Sequence, residues 1–144
     1  MTVGFAIFGF AQQAISQPTQ PETQIHVTLK DFSVHPNHTT TKSGWVTFQA
    51  VNSGTMAHEL VILRTDLHPA DLPRKAKKDK KGTVTGHIVN EEHAAVEPIG
   101  EIEEFPAKTF KEKKMFMDPG SYVLFCNVPE HYGKGMYASF IVEK

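Results

Sequence analysis

The chain has 144 residues, which is enough for one domain with a sizeable core and too short for two such domains. Its formal net charge of −1 excludes the strong positive charge of nucleic-acid-binding domains, so no nucleic-acid partner is expected. Cys126 is the only cysteine, which excludes an internal disulfide bond and any metal site built from two cysteines of this chain.

Residues 1–23 are predicted to be a signal-like segment and a flexible lead-in. Residues 3–11 form a short apolar run, in which Gly9 and Ala11 occupy the two positions that a signal peptidase reads. The run is too short to span a bilayer, and the polar stretch that follows contains two prolines. We therefore expect an exported protein, periplasmic or extracellular, whose folded domain covers residues 24–144.

Three segments in the first half alternate apolar and polar residues with the period of two that is typical of strands. They are residues 24–34, with Ile25, Val27 and Leu29 on one face; residues 45–52, with Val46, Phe48 and Ala50; and residues 58–63, with His58, Leu60 and Ile62. Turn-forming glycines precede the second and the third segment, at Gly44 and Gly54.

Residues 64–100 break this pattern and form a long polar insert. Asn90 is placed to cap a short helix that extends to Ala95, so the insert is predicted to be partly helical. A basic run extends from Arg74 to Lys81. We interpret this run as a solvated loop, and a docking patch for an acidic redox partner is the alternative.

Strand-like segments resume after the insert, at residues 101–105, 109–117, 122–126 and 136–142. The third of these segments carries Tyr122, Leu124 and Cys126 on one face, and a Pro-Gly turn precedes it. Short strands and regular turns, without an alternation of strand and helix, predict an all-β domain that is a sandwich or a barrel.

Four residues have side chains that suit a single metal ion, namely His58, Cys126, His131 and Met136. One thiolate, two imidazoles and one thioether form the donor set that selects copper in a trigonal site with a weak axial sulfur. Because imidazole suits both oxidation states, this set accepts one Cu ion as Cu(I) or Cu(II). Two glycines in the loop after Cys126 allow His131 and Met136 to return to the same place. Two histidines and a thiolate would also accept zinc.

These residues resemble the cupredoxin family of small blue copper proteins, which includes plastocyanin and azurin. Three matches carry the resemblance: Asn52 followed by His58, the strand that leads from a Pro-Gly turn to Cys126, and the Cys-x4-His-x4-Met loop that ends at Met136. The resemblance covers residues 24–144. It implies a Greek-key β-sandwich with a type 1 mononuclear copper site.

The family pattern also assigns roles to residues that are not ligands. Asn52 matches a residue whose side chain ties the first-histidine loop to the cysteine loop, and Tyr122 matches a structural tyrosine at a corner of the sandwich. The chain departs from the pattern at Glu130, where many members have glycine. A β-carbon there restricts the turn, and a carboxylate beside the site should favour Cu(II). The insert at residues 64–100 is larger than in compact members and resembles the loop of longer bacterial relatives.

The resemblance implies a protein that carries single electrons between redox partners. Such partners would dock transiently near His131, and Met56, Pro129 and Tyr132 are expected to form an apolar rim for them. We expect a monomer without a membrane span. The alternative is a copper carrier or storage protein in the exported compartment.

An enzyme is not expected from this sequence. Multicopper oxidases need extra histidines, commonly in His-x-His pairs and beside the cysteine. The sequence contains no such pair, and Cys126 is flanked by Phe125 and Asn127.

Overall fold

The computed structural model describes residues 22–144, so the signal-like segment and nearly all of the lead-in lie outside the described residues. The described chain is mostly strand, and it forms two larger sheets and a separate two-stranded sheet. The prediction of an all-β Greek-key sandwich is confirmed. Among residues 22–144, no helix has the length and apolar character needed to cross a membrane.

The first sheet has four strands, which in chain order are β1 (Thr23–Lys30), β2 (Ser33–Pro36), β4 (Gly44–Asn52) and β9 (Phe110–Met117). Their order across the sheet is β2-β1-β4-β9. β1 and β4 are parallel, whereas the other two pairings are antiparallel. A parallel pair needs a crossover connection, and here the chain passes through β3 (Thr40–Lys42) of the other sheet before it returns as β4.

The second sheet has five strands, which are β3, β5 (His58–Arg64), β8 (Glu97–Phe105), β10 (Gly120–Phe125) and β11 (Tyr137–Glu143). Their order is β3-β11-β10-β5-β8, so β5 and β10 are neighbours. They run antiparallel, with Phe125 opposite Val61. This register brings the start of β5 beside the end of β10, and it therefore brings His58 towards Cys126.

The apolar faces predicted from the alternation are buried in the core. All of the following are at most 2% exposed: Ile25, Val27 and Leu29 of β1, Val46, Phe48 and Ala50 of β4, Leu60 and Ile62 of β5, and Tyr122 and Leu124 of β10. Each large apolar side chain buried in this way contributes about 1.5–3 kcal/mol. A slip of one residue would turn a whole face outward, so this burial fixes the strand register.

β5 is buried on both faces because the insert covers its outer side. Val61 and Leu63 point away from the main core and pack with Leu72, Val89 and Tyr132 in a second apolar cluster. The uninterrupted apolar run of β5, which departs from strict alternation, reflects this double burial. The insert is thus a third layer over the strand that begins with the first candidate ligand.

The prediction that the insert is partly helical is wrong. The insert contains a β-hairpin of β6 (Arg74–Lys78) and β7 (Val84–Val89), and its helical structure is limited to one 3-10 turn at Pro69–Asp71. In the hairpin turn, the Asp79 carboxylate accepts hydrogen bonds from the backbone N–H groups of Lys81 and Thr83. Most side chains of β6 and β7 are exposed or half-buried, so the sequence carries no clear period-two pattern that would predict these strands.

The segment after Asn90 makes turns instead of the predicted helix. The His93 N–H donates to the Asn90 carbonyl, and the Val96 N–H donates to the His93 carbonyl. β8 begins at Glu97, four residues earlier than the pattern predicts. The link between β7 and β8 is therefore too short for a helix that would be stable on its own.

The predicted strand at residues 24–34 is in fact two strands, β1 and β2, which pair around a two-residue turn. Asp31 and Phe32 form this turn, and Phe32 adopts a left-handed conformation with φ of 64°. Glycine or asparagine usually marks such a position, so a phenylalanine there does not predict a turn. The turn lies beside the candidate metal site.

Candidate metal centre

Three of the four predicted ligands meet at one end of the sandwich. His58 is the first residue of β5, Cys126 directly follows β10, and His131 immediately precedes a 3-10 turn at Tyr132–Lys134. The antiparallel pairing of β5 with β10 fixes the first two residues, and a short loop returns the third. Their nitrogen and sulfur atoms all lie within 4.8 Å of one another.

The three donor atoms form a nearly regular triangle. The Nδ1 atoms of His58 and His131 are 3.2 Å apart, and Cys126 Sγ lies 3.8 Å from the first and 3.4 Å from the second. The centre of a triangle with these sides is about 2 Å from every corner, which matches metal–nitrogen bonds and is slightly shorter than metal–sulfur bonds in proteins. The residues therefore fit a single metal ion held by three protein donors.

The three donor side chains are shielded from solvent. Cys126 and His58 are fully buried, and His131 is 7% exposed. Burial raises the pKa of the Cys126 thiol to about 11, and burial also lowers the pKa of His131. A neutral imidazole is ready to donate its lone pair, whereas the thiol must release its proton to a metal.

Met136 is fully buried in the same apolar cluster as Cys126. The backbone N–H of Cys126 donates to the Met136 carbonyl at 3.1 Å, and the Met136 N–H donates to the His131 carbonyl at 3.2 Å. These two bonds close the loop that bears three of the predicted ligands. The backbone of Met136 therefore lies beside the site. Coordination of a metal ion by the Met136 thioether stays a prediction.

Asn52 organises the loop before His58, but it does so differently from the role that the family resemblance implies. Its amide group donates to the carbonyls of Met56 and Phe105, and its oxygen accepts the N–H of Gly54. Asn52 thus ties the first-histidine loop to the end of β8 instead of to the cysteine loop. Tyr122 is buried, and its hydroxyl donates to the Asp118 carbonyl across the turn before β10, as expected for a corner tyrosine.

Asp31 contacts the site, although the sequence analysis did not select it. Its Oδ1 lies 3.0 Å from His58 Nε2, on the side of the ring opposite to the donor triangle. Hydrogen bonds from the Thr55 hydroxyl and backbone N–H hold the pKa of the Asp31 carboxyl well below its usual range. An ionised carboxylate can only accept, so the hydrogen of this contact lies on His58 Nε2.

Phe32 covers the second histidine from the same turn. Its ring meets the His131 ring edge-to-face, with centroids 5.4 Å apart. The Lys134 ammonium lies 4.4 Å from the Phe32 centroid on the outer side. The turn between β1 and β2 therefore contacts both imidazoles.

Glu59 and its neighbours make an acidic region on the outer side of Cys126. The backbone N–H of Glu59 points at Cys126 Sγ, at 3.5 Å. Burial, together with the nearby charges of Glu101, Glu91 and Glu104, raises the pKa of the Glu59 carboxyl to about 7. This region arises from the pairing of β5 with β8, which the sequence analysis did not predict.

Glu130, which stands where many members of the family have glycine, connects the ligand loop to the insert. Its backbone is left-handed, with φ of 69°, where a β-carbon is disfavoured. Its carboxylate accepts from the His87 backbone N–H at 2.6 Å and contacts the His87 ring at 3.0 Å, with Arg74 at 3.7 Å. Because of these bonds to His87, the pKa of Glu130 is lowered. The carboxylate is thus engaged by β7.

Two further side chains fasten the ligand loop to the insert. Asn127 exchanges hydrogen bonds with the backbone of Val89, at 2.7 and 3.2 Å. The Tyr132 hydroxyl donates to the Pro69 carbonyl at 2.7 Å and accepts the Leu72 N–H at 3.0 Å. Tyr132 is 4% exposed, so the expectation that it forms part of an apolar rim around His131 is wrong.

No family model matches the chain, and no curated protein matches it by sequence. Solved structures do match. An auracyanin from the photosynthetic bacterium Roseiflexus castenholzii is 18% identical, with a TM-score of 0.58 over 85% of this chain and 98% of that one. Auracyanin A, a blue copper protein from Chloroflexus aurantiacus, is 17% identical, with a TM-score of 0.54 over 85% and 99%.

An azurin from the methylotroph Methylomonas sp. strain J is also similar, at 17% identity, with a TM-score of 0.55 over 85% of this chain and 98% of that one. The matches therefore span nearly the whole of these structures. At such low identity they establish a common fold.

Proposed function

We propose that this chain, which has the cupredoxin fold, is a type 1 copper protein that carries single electrons between redox partners. The resemblance stated from the sequence is confirmed for the fold. The observation that carries the proposal is the buried triangle of two imidazole nitrogens and one cysteine sulfur, whose sides suit one metal ion.

The chemistry of the donors favours copper over other metals. A thiolate and a thioether are soft donors that select Cu(I), and the two imidazoles suit both oxidation states. Bound copper would supply one-electron chemistry by alternating between Cu(I) and Cu(II). Zinc is the competing metal, because two histidines and a thiolate also satisfy it.

The protein's own part is to hold the donors still and to exclude water. Strands β5 and β10 fix His58 and Cys126 from the two sides of one hydrogen-bonded pair, and the loop bonds of Met136 fix the return of the chain. Donors that are placed before the metal arrives change little between oxidation states, and this favours fast electron transfer.

The proposed exit for the electron is His131. It is the more exposed of the two histidines, at 7% against 0% for His58. Met56 is 37% exposed and Pro129 is half-buried, so an apolar contact for a partner remains available without Tyr132. We propose transient docking of redox proteins there, with the chain acting as an exported monomer.

The decisive experiment adds Cu(II) to the purified metal-free protein. We expect an intense visible absorption that a reductant bleaches reversibly, and its loss in Cys126→Ser. A colourless copper complex, or a colour that survives in Cys126→Ser, would contradict the proposal. If the protein binds zinc as tightly as copper and the copper complex is colourless, the site is a zinc site instead.

The axial role of Met136 has a matched control in Met117. Both methionines are fully buried, but Met117 pairs with Gly44 at the opposite end of the sandwich. Met136→Leu should raise the reduction potential and alter the absorption spectrum, whereas Met117→Leu should leave both unchanged. Identical spectra for the two variants would remove Met136 from the ligand set.

A copper carrier is the alternative function, and metal exchange distinguishes it. The full burial of Cys126 and His58 favours slow exchange and hence the electron carrier. We expect the reduced protein to lose copper to a Cu(I) chelator much more slowly than it exchanges electrons with hexacyanoferrate. Rapid loss of Cu(I) would favour the carrier.

A further inference from the structure

The ring of His58 is held from both sides. Its Nδ1 faces Cys126 and His131, while its Nε2 meets Asp31 Oδ1 at 3.0 Å. His58 is fully buried and Asp31 is 28% exposed at its side chain, so the carboxylate separates the ring from solvent. A histidine that donates its second N–H to a carboxylate has a fixed tautomer and is a more basic ligand.

Asp31 is itself anchored by the loop that precedes His58. Its carboxylate accepts from the Thr55 backbone N–H at 2.9 Å, from the Thr55 hydroxyl at 2.5 Å and from the Met56 N–H at 3.4 Å. These donors orient the carboxylate, so that its position does not depend on His58 alone. The β1–β2 turn and the first-histidine loop are thus joined through one side chain.

Gly54 leaves the space that this contact requires. A β-carbon at Gly54 would overlap Asp31 Oδ1 and would lie 2.9 Å from His58 Nε2 and 3.2 Å from Asn52 Oδ1. A contact of 2.9 Å or less forces neighbouring atoms to move. The close approach of carboxylate and ring therefore needs a residue without a side chain at this position.

We propose that Asp31 is a positioning residue for the metal site: by accepting the N–H of His58 Nε2, its carboxylate orients the ring so that Nδ1 faces Cys126 and His131. The inference rests on the proposed function for its effect on copper, but its effect on the ring belongs to the metal-free protein as well. A negative charge beside a ligand stabilises the more highly charged metal ion, so Asp31 favours Cu(II) and lowers the reduction potential.

The test compares Asp31→Ala and Asp31→Asn with the wild-type chain. Asparagine keeps an acceptor for the ring N–H but removes the charge, whereas alanine removes both. In metal-free protein, the ¹⁵N chemical shifts of His58 should report Nε2–H as the single tautomer for wild type and for Asp31→Asn, and a mixture for Asp31→Ala. In copper-loaded protein, both variants should have a higher reduction potential, and Asp31→Ala should bind Cu(II) about 10–100-fold more weakly.

Asp79→Asn is the matched control, because Asp79 also accepts loop N–H groups but lies in the hairpin turn. It should change neither the His58 tautomer nor the potential. Unchanged ¹⁵N shifts and potential in a folded Asp31→Ala or Asp31→Asn would overturn the proposal. If Asp31→Ala does not fold, a potential in Asp31→Asn equal to that of wild type overturns it equally.

Failure of the proposed function gives a different result from failure of this inference. If wild-type protein binds no copper but His58 loses its fixed tautomer in Asp31→Ala, the positioning role stands and the copper proposal falls. If copper binds with its expected colour and neither variant alters tautomer or potential, the copper proposal stands and the role of Asp31 falls.

Discussion

Gly54 is a residue whose lack of a side chain allows the close contact between Asp31 and His58. We expect Gly54→Ala to destabilise the fold by about 1–3 kcal/mol, because the added methyl group overpacks a site that has no space for it. The displaced Asp31 and His58 should also weaken metal binding. Urea unfolding measures the first effect and a copper titration measures the second.

Ser53→Ala is the neighbouring control, because Ser53 is exposed. Its backbone N–H donates to the Leu29 carbonyl, and the substitution keeps this bond. Stability and copper affinity should match wild type within error. Wild-type behaviour of Gly54→Ala would show that the carboxylate and the ring can separate without consequence.

Residue type and spacing were sufficient to select Cys126 and His131, because the loop between them is short and local, and the resemblance to the family selected His58. Asp31 could not be found in the same way. It is 27 positions from His58 along the chain, and the two meet only because an unmarked turn separates β1 from β2. An aspartate followed by phenylalanine has no feature that predicts such a turn.

At the scale of elements, Tyr132 connects the ligand loop with the insert. Tyr132→Phe should lower the free energy of unfolding by about 1–3 kcal/mol, because the Leu72 N–H would be left buried without an acceptor. Chemical denaturation measures this loss. Tyr137→Phe is the control, since the hydroxyl of Tyr137 has no protein hydrogen bond among residues 22–144. Equal stability of the two variants would argue against a structural role for the Tyr132 hydroxyl.

Glu130 combines an unfavourable backbone conformation with a favourable contact. Glu130→Gly should relieve about 1 kcal/mol of backbone strain while it removes the acceptor for the His87 N–H. We expect nearly unchanged global stability but faster hydrogen exchange at the His87 amide. Glu130→Gln keeps an acceptor and should exchange like wild type. Unchanged protection of His87 in Glu130→Gly would mean that the hairpin is held by other contacts.

The strands of the sandwich could be predicted and the hairpin could not, for one physical reason. A strand with one face in the core alternates in polarity, as β1 and β4 do, and this alternation is visible in the sequence. β6 and β7 lie outside the two main sheets and bury little, so their pairing depends on the turn at Asp79 and on contacts with the ligand loop. Neither produces a periodic pattern.

For the molecule as a whole, metal binding and folding should be coupled. The donor triangle exists only in the folded chain, because its members lie up to 73 positions apart. Copper at 100 times its dissociation constant should therefore stabilise the fold by about 2.7 kcal/mol, or roughly 10 °C in Tm. Calorimetry with and without copper measures the shift. Cys126→Ser should lose it and Met117→Leu should retain it; a shift that persists in Cys126→Ser would place the metal elsewhere.

The attachment of the ligand loop to the insert has a consequence for protein engineering. Transplanting a loop between related proteins assumes that the loop makes contacts only within itself and with the end of the sandwich. Here Asn127, Glu130 and Tyr132 find partners in residues 69–91, outside the sandwich. A foreign loop grafted between Cys126 and Met136 would lack these side chains, so the polar groups of the insert would lose their hydrogen-bond partners. The loop and the hairpin are one exchangeable unit and must be transferred together.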